Sequence, residues 1–148
     1  MKRALTILVG VGLALATASA AEKAVRMQDL PEAVRKTVQQ QTQGAEVKGL
    51  SKETEHGKTF YEVETRVNGH GRDVLIDPAG KVVEVEEEVA LDSIPAPVRA
   101  AIEKTAAGGK IKKVESVTKG GTVTYEAAVV KAGKTSEIVV APDGSTPK

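Results

Sequence analysis

The sequence predicts an α+β fold of two tandem repeats, each with an N-terminal helix followed by an antiparallel β-meander, the helices packed on one face of the sheet. Three observations support this prediction. A pattern recurs at a spacing of 64 residues, apolar residues have helical spacing at the start of each recurrence, and apolar and polar residues alternate in the remainder.

The recurrence aligns without a gap. The segment LPEAVRK at 30–36 aligns with IPAPVRA at 94–100, and Tyr-Glu at 61–62 aligns with Tyr-Glu at 125–126. Chance rarely keeps such a register over fifty residues, so the sequence predicts a duplication. The first repeat is assigned to residues 30–91 and the second to 92–148. The second ends soon after its last Pro-x-Gly turn and is expected to lack the final strand.

A helix is predicted at the start of each repeat. Apolar residues recur every four positions over 30–38 and again over 94–102, which places them on one stripe of a helix. Asp29 and Ser93 precede these runs and are the predicted N-caps. Gly44 follows the first run and is expected to end that helix.

Strands follow each helix, separated by turns rich in glycine, asparagine and aspartate. Alternation in FYEVETRV at 60–67 places Tyr61 on the helix side of the sheet and Glu62 and Glu64 on the other side. Tyr61 and its counterpart Tyr125 are therefore expected to fill space between sheet and helix. The helices and strands of the two repeats are expected to share a core of valine, isoleucine, leucine and alanine.

The first twenty residues have the pattern of a secretory signal peptide. Lys2 and Arg3 form a positive end, an apolar run covers residues 4–16, and small residues stand at Ala18 and Ala20. Cleavage is expected after Ala20, with residues 21–29 as a linker; an uncleaved N-terminal anchor is the alternative. The expected location is the periplasm or the extracellular medium, with no membrane span after cleavage.

Composition argues against several classes of chemistry. The chain has no cysteine, two histidines and nearly balanced charge, with 21 basic and 20 acidic residues. Disulfides, thiol catalysis and nucleic-acid binding are therefore not expected. His56 and His70 lie in turns at opposite ends of one predicted strand, about 33 Å apart. We predict no enzyme, no catalytic residue and no cofactor.

The densest charge is the run EVEEE at 84–88. Carboxylates bind hard cations, so Glu84, Glu86 and Glu88 are the candidates for a metal site. A solvated strand face that discourages edge pairing explains the same pattern and is the preferred interpretation. In this interpretation Val83 and Val85 point to the opposite side of the strand.

The second repeat also has an edge to consider. Its last strand, near 135–141, would expose unpaired backbone groups. A harmless edge is the preferred interpretation, and a homodimer through this strand is the alternative.

The chain resembles the PepSY-like family of small secreted bacterial domains, whose pattern is a helix beginning near "lP..v", a strand "YEVEv", a glycine turn and "v.iD..G.vv". The matching residues of the first repeat are Leu30, Pro31, Val34, Tyr61, Glu62, Val63, Glu64, Gly69, Val74, Ile76, Asp77, Gly80, Val82 and Val83. The second repeat keeps Pro95, Val98, Tyr125, Glu126, Gly133, Ile138, Val140 and Gly144, and has Ala141 where the family has aspartate.

The tandem arrangement is also similar to that of secreted β-lactamase inhibitor proteins. These resemblances imply an exported, non-catalytic protein-binding module with an inhibitory or regulatory role toward a periplasmic protease or envelope partner of unknown identity. Inhibition of β-lactamase is not carried over, because the chain has no tryptophan to anchor such an interface. A sensor or binder of a small ligand or divalent cation is the alternative function. The resemblance names no partner-binding residue.

Overall fold

The computed structural model of the protein describes residues 22–147. This part of the chain forms two α-helices and one eight-stranded antiparallel sheet, which confirms the predicted α+β class. The predicted signal peptide, residues 1–20, lies outside the described residues.

The strands follow one another across the sheet in chain order, so each strand pairs with its neighbours in sequence. The elements are β1 (Lys23–Ala24), a 3₁₀ turn (Met27–Asp29), α1 (Glu32–Gln41), β2 (Glu46–Glu55), β3 (Lys58–Val67), β4 (His70–Ile76), β5 (Val82–Glu88), α2 (Ala96–Ala106), β6 (Lys110–Lys119), β7 (Thr122–Lys131) and β8 (Lys134–Val140).

The two halves of the sheet have the same register. Strands β2, β3 and β4 begin and end 64 residues before β6, β7 and β8. Ala24 of β1 pairs with Ser51, and Glu88 of β5 pairs with Glu115, again at a spacing of 64. In this register each half is a strand, a helix and three strands. The structure thus differs from the predicted repeat, because the predicted linker at 21–29 contains an edge strand that corresponds to part of β5.

The core consists of two clusters on the same face of the sheet. Under α1, Val34 and Val38 are fully buried against strand residues such as Val63. Under α2, Val98 and Ile102 are fully buried in the same way. Each such side chain contributes about 1.5–3 kcal/mol by leaving water. Instead of one shared core, each helix has its own cluster.

The predicted N-caps are wrong. The N-cap residues of α1 and α2 are Pro31 and Pro95, and neither makes a side-chain capping bond. Asp29 forms an ion pair with Arg26 at 2.7 Å, and Ser93 Oγ donates to the carbonyl of Ala90. Both polar side chains therefore bond to residues that precede the helix. The proline fixes the extended backbone from which each helix begins.

The tyrosines lie on the helix side of the sheet. Tyr61 is 9% exposed within the first cluster, as predicted. Tyr125 is half-buried and packs against the second cluster. The prediction for β5 is wrong at Val83, because a register irregularity opposite Leu75 and Ile76 brings Val82 to the core side instead.

A glycine after β4 lets the turn that follows this strand approach α1 closely. Gly80 has a φ of +84°, and a Cβ there would lie 2.7 Å from the carbonyl oxygen of Ala33. Thr37 Oγ1 donates to the carbonyl of Gly80 at 2.5 Å, which joins helix and turn. The same close approach occurs 64 residues later at Gly144, where a Cβ would lie 2.8 Å from the carbonyl oxygen of Pro97.

We expect Gly80→Ala to destabilise the fold more than Gly69→Ala. Both positions have a φ of +84°, but a Cβ at Gly69 meets no atom within 4 Å. The shared backbone cost is about 1–2 kcal/mol. The clash with α1 at Gly80 should add about 1–3 kcal/mol. Urea denaturation of the two variants measures the difference, and equal free energies of unfolding would show that the turn does not press against α1.

Candidate functional site

The sheet face opposite the helices carries many acidic side chains. We call it the open face. Residues paired across antiparallel strands point to the same side, and the register therefore assigns to this face Ser51, Glu53, Phe60, Glu62, Glu64, Asp73, Leu75, Glu84, Glu86, Glu88, Glu115, Val117, Lys119 and Glu126.

The three predicted cation candidates, Glu84, Glu86 and Glu88, all lie on the open face but have different surroundings. Glu84 is 8% exposed, and its Oε2 lies 2.6 Å from Lys119 Nζ. Glu88 Oε2 accepts a hydrogen bond of 3.0 Å from the N–H of Gly71. Alternate residues of a strand are about 6.6 Å apart, so each of these glutamates contacts a different neighbouring group.

Glu86 lies in an acidic cluster at the centre of the open face. Glu86, Asp73 and Glu115 each have one carboxylate oxygen within 4.8 Å of those of the other two. Lys113 forms an ion pair with Glu115, and these two side chains are only 18% and 12% exposed. The central cluster therefore contains an ammonium group of its own.

Three half-buried carboxyls of the open face are held in their protonated form near neutral pH. Burial, together with a hydrogen bond to Glu53, raises the pKa of Glu62 to about 9. Burial and neighbouring carboxylates raise the pKa of Glu86 to about 8. Burial and a hydrogen bond to Glu137 raise the pKa of Glu126 to about 9. Crowded carboxyls share protons because their charged forms repel one another.

An open groove of about 630 Å³ lies at one end of the open face. Its apolar lining comes from Phe60, Leu75, Pro78, Val82 and Val83, and three lysines line it as well, Lys58, Lys81 and Lys119. Such a groove can receive an apolar side chain, and the surrounding charges can fix its orientation.

Phe60 is the residue that the sequence reasoning missed. Alternation from Tyr61 places Phe60 on the side of Glu62, away from the helices, where an aromatic ring has no core to fill. That signal was available in the sequence. The groove itself was not, because it depends on Val83, which the register irregularity in β5 displaces.

The histidines are separated as predicted. His56 lies in the turn at one end of β3, and His70 pairs with Val67 at the other end. They therefore occupy opposite ends of the same strand and do not form one site.

We expect the melting temperature to fall as pH rises from about 5 to about 8. Glu126 has a pKa of about 9 in the folded protein, against about 4.3 in an unfolded chain. Between these values the folded state keeps a proton that the unfolded state has lost, so stability decreases with rising pH. Thermal unfolding monitored by circular dichroism across this range measures the slope.

The variant Glu126→Gln should make this slope shallower, because the amide has no charge to develop. Glu32→Gln, at an exposed position of α1, is the control and should leave the slope unchanged. An unchanged slope in Glu126→Gln would contradict the assignment of a bound proton to this carboxyl.

Comparison with known proteins gives one family and one fold. A model of the PepSY family, described as peptidase propeptide and YPEB domain, matches residues 31–86. Among curated proteins, none matches the chain at a significant level.

Three solved structures from Bacteroides species share the fold. A protein of the DUF2874 family from Bacteroides ovatus is 19% identical, with a TM-score of 0.63 over 80% of this chain and 85% of the other. A protein from Bacteroides eggerthii, provisionally described as periplasmic, is 20% identical, with a TM-score of 0.65 over 78% and 84%. A BLIP-like protein from Bacteroides fragilis is 15% identical, with a TM-score of 0.58 over 78% and 82%.

The family match covers the first half of the sheet together with α1, and the fold likeness extends over both halves. The family match includes the residues on which the resemblance in the sequence rests, from Pro31 to Val83. Residues 31–86 of the chain are thus similar to the PepSY family, and the chain as a whole shares its fold with these solved structures.

Proposed function

We propose that this protein is an exported, non-catalytic protein-binding module that contacts its partner through the open face. The groove lined by Phe60, Leu75 and Val83 is the observation that carries the proposal. Both helices pack on the opposite face, so the groove lies on the side of the sheet that they leave uncovered. Apolar pockets within a polar surface are typical of interfaces that bind protein side chains.

The relatives support a binding role instead of catalysis. The PepSY family description refers to peptidase propeptides, and one protein with the same fold is BLIP-like. An inhibitory or regulatory action on a periplasmic protease or envelope protein would be consistent with both. The partner is proposed as a class only, because fold likeness does not transfer a target.

Export is part of the same proposal. The signal-like pattern at residues 1–20 supports it, as does the provisional description of one structural neighbour as periplasmic. Within residues 22–147 no helix is long and apolar enough to cross a membrane. The mature protein is proposed to begin at Ala21.

Duplication is proposed as the origin of the two halves. The shared 64-residue spacing of strands, pairings and the irregularities near Gly49 and Lys113 supports it. A homodimer through β8 stays a prediction, since β8 ends the sheet.

The alternative function, cation sensing by Glu84, Glu86 and Glu88, is less well supported. Glu84 is paired with Lys119, and Glu88 accepts a backbone hydrogen bond. Only Glu86 joins an acidic cluster, and Lys113 already neutralises part of it.

We expect Phe60→Glu to reduce partner binding at least tenfold, because a charge in the groove would replace its aromatic lining. The purified protein, immobilised, would be used to recover partners from periplasmic extract, followed by affinity measurement with the recovered protein. Val47→Glu is the matched control, since Val47 is 44% exposed and lies outside the groove.

Equal binding by the wild-type protein and Phe60→Glu would exclude the groove as the contact. Failure to recover any partner reproducibly would count against the binding role itself. Circular dichroism of both variants shows whether the fold is retained.

A further inference from the structure

A second acidic cluster lies at the other edge of the open face, away from the groove. Carboxylate oxygens of Glu22, Glu62 and Glu64 lie within 4.8 Å of one another. Glu22 directly precedes β1, while the other two come from β3, so β2 lies between the strands that supply them. The ion pairs of this face within residues 22–147 use Glu46, Glu84 and Glu115 instead.

A buried hydroxyl of β2 faces the same cluster. Ser51 is 5% exposed, and its Oγ has no hydrogen-bond partner among the described residues. Ser51 pairs directly with Glu62 on one side and with Ala24 on the other. Its side chain therefore points to the open face beside the Glu62 carboxyl. A buried hydroxyl without a protein partner is unfavourable unless a ligand or a water molecule satisfies it.

A glycine of β2 provides room beneath the carboxylates. A Cβ at Gly49 would lie 3.4 Å from the carboxyl carbon of Glu64, so this side chain extends across β2 toward β1. Glu64 thus approaches from the side opposite to Glu22. The two carboxylates and the Ser51 hydroxyl surround the space above β2.

The second half of the sheet has a built-in cation at the corresponding place. The residues 64 positions after Gly49, Ser51 and Glu22 are Lys113, Glu115 and Glu86. Lys113 forms an ion pair with Glu115 within the central acidic cluster. In the first half Glu22 matches Glu86, but Ser51 replaces Glu115 and a glycine replaces the lysine.

We propose that Glu22, Glu62, Glu64 and Ser51 bind a calcium ion, which takes the place that the Lys113 ammonium occupies in the second half. All donors are oxygen atoms, which hard cations prefer, and the ion displaces the proton that the Glu62 carboxyl otherwise holds near neutral pH. One carboxylate oxygen from each of the three glutamates lies within 4.8 Å of the others, a span that ligands on opposite sides of one calcium ion, at about 2.4 Å each, can bridge. This inference does not depend on the proposed protein-binding function.

The experiment is calorimetric titration of the metal-free exported protein with calcium chloride. We expect one ion per chain, a dissociation constant in the range of about 0.1–1 mM typical of extracellular calcium modules, and a higher melting temperature with calcium. Glu64→Gln should weaken binding about tenfold or more because it removes the charge of one ligand, and Ser51→Ala about threefold because it removes a neutral ligand.

The decisive variant is Gly49→Lys, which introduces the lysine of the second half. A Cβ at Gly49 makes only ordinary contacts, and its φ is not positive, so the fold should be retained. We expect this variant to lose calcium binding while its metal-free form melts at a higher temperature than the wild-type protein. Glu126→Gln, at the corresponding position of the second half, is the control and should bind calcium as the wild-type protein does.

Two results would overturn the proposal. One is the absence of both heat and a melting-temperature shift in the wild-type protein at about 5 mM calcium, well above the expected constant. The other is binding that survives in Glu64→Gln and Gly49→Lys but is lost in Glu115→Gln, which would locate the ion at the central cluster. If Glu64→Gln does not fold, the Gly49→Lys variant decides, because it retains all three carboxylates.

Discussion

Burial on one face of the sheet is the constraint from which the other features follow. Both helices pack on the same face, where valine and isoleucine side chains lose contact with water. The chain has no cysteine, so it has no disulfide to supplement this burial. Strand residues alternate between faces, and the polar half of every strand is therefore directed to the open face.

The open face consequently brings like charges close together. Neighbouring strands are about 4.8 Å apart, and acidic residues pair directly across them, as Asp73 does with Glu64 and Glu86, and Glu115 with Glu126. Ion pairs with Lys113 and Lys119, and proton sharing such as that between Glu126 and Glu137, reduce the repulsion. Each ion pair and each shared proton lowers the negative charge of the face that no helix covers. Groups adjusted in this way are suited to respond to a cation or to a charged partner.

Much of the fold could be predicted from the sequence, because it depends on local patterns. Alternation in 60–67 located the two faces of β3, and helical spacing located α1 and α2. The predictions were wrong where strand pairing between residues distant in sequence decides the local structure. β1 has only two residues and is specified by its contact with β2 and not by its own sequence. The position of Val83 depends on an irregularity in pairing that its own strand does not signal.

The candidate site was less predictable for the same reason. The sequence indicated a site at a dense acidic run, Glu84, Glu86 and Glu88. Carboxylates along one strand, however, each contact a different neighbour. The clusters that form instead combine residues far apart in sequence, such as Asp73 with Glu115, or Glu22 with Glu64. Only the order of strands across the sheet brings them together. Phe60, in contrast, could have been found from alternation alone.

The agreement between chain order and strand order has a kinetic consequence. Every strand meets a partner that lies next to it in sequence, and the longest connection between paired strands is a single helix with its flanking loops. Low sequence separation between contacting residues favours rapid acquisition of structure even in β-rich chains. A polypeptide that crosses a membrane unfolded could thus form each hairpin as it emerges, before its strand edges meet those of another molecule.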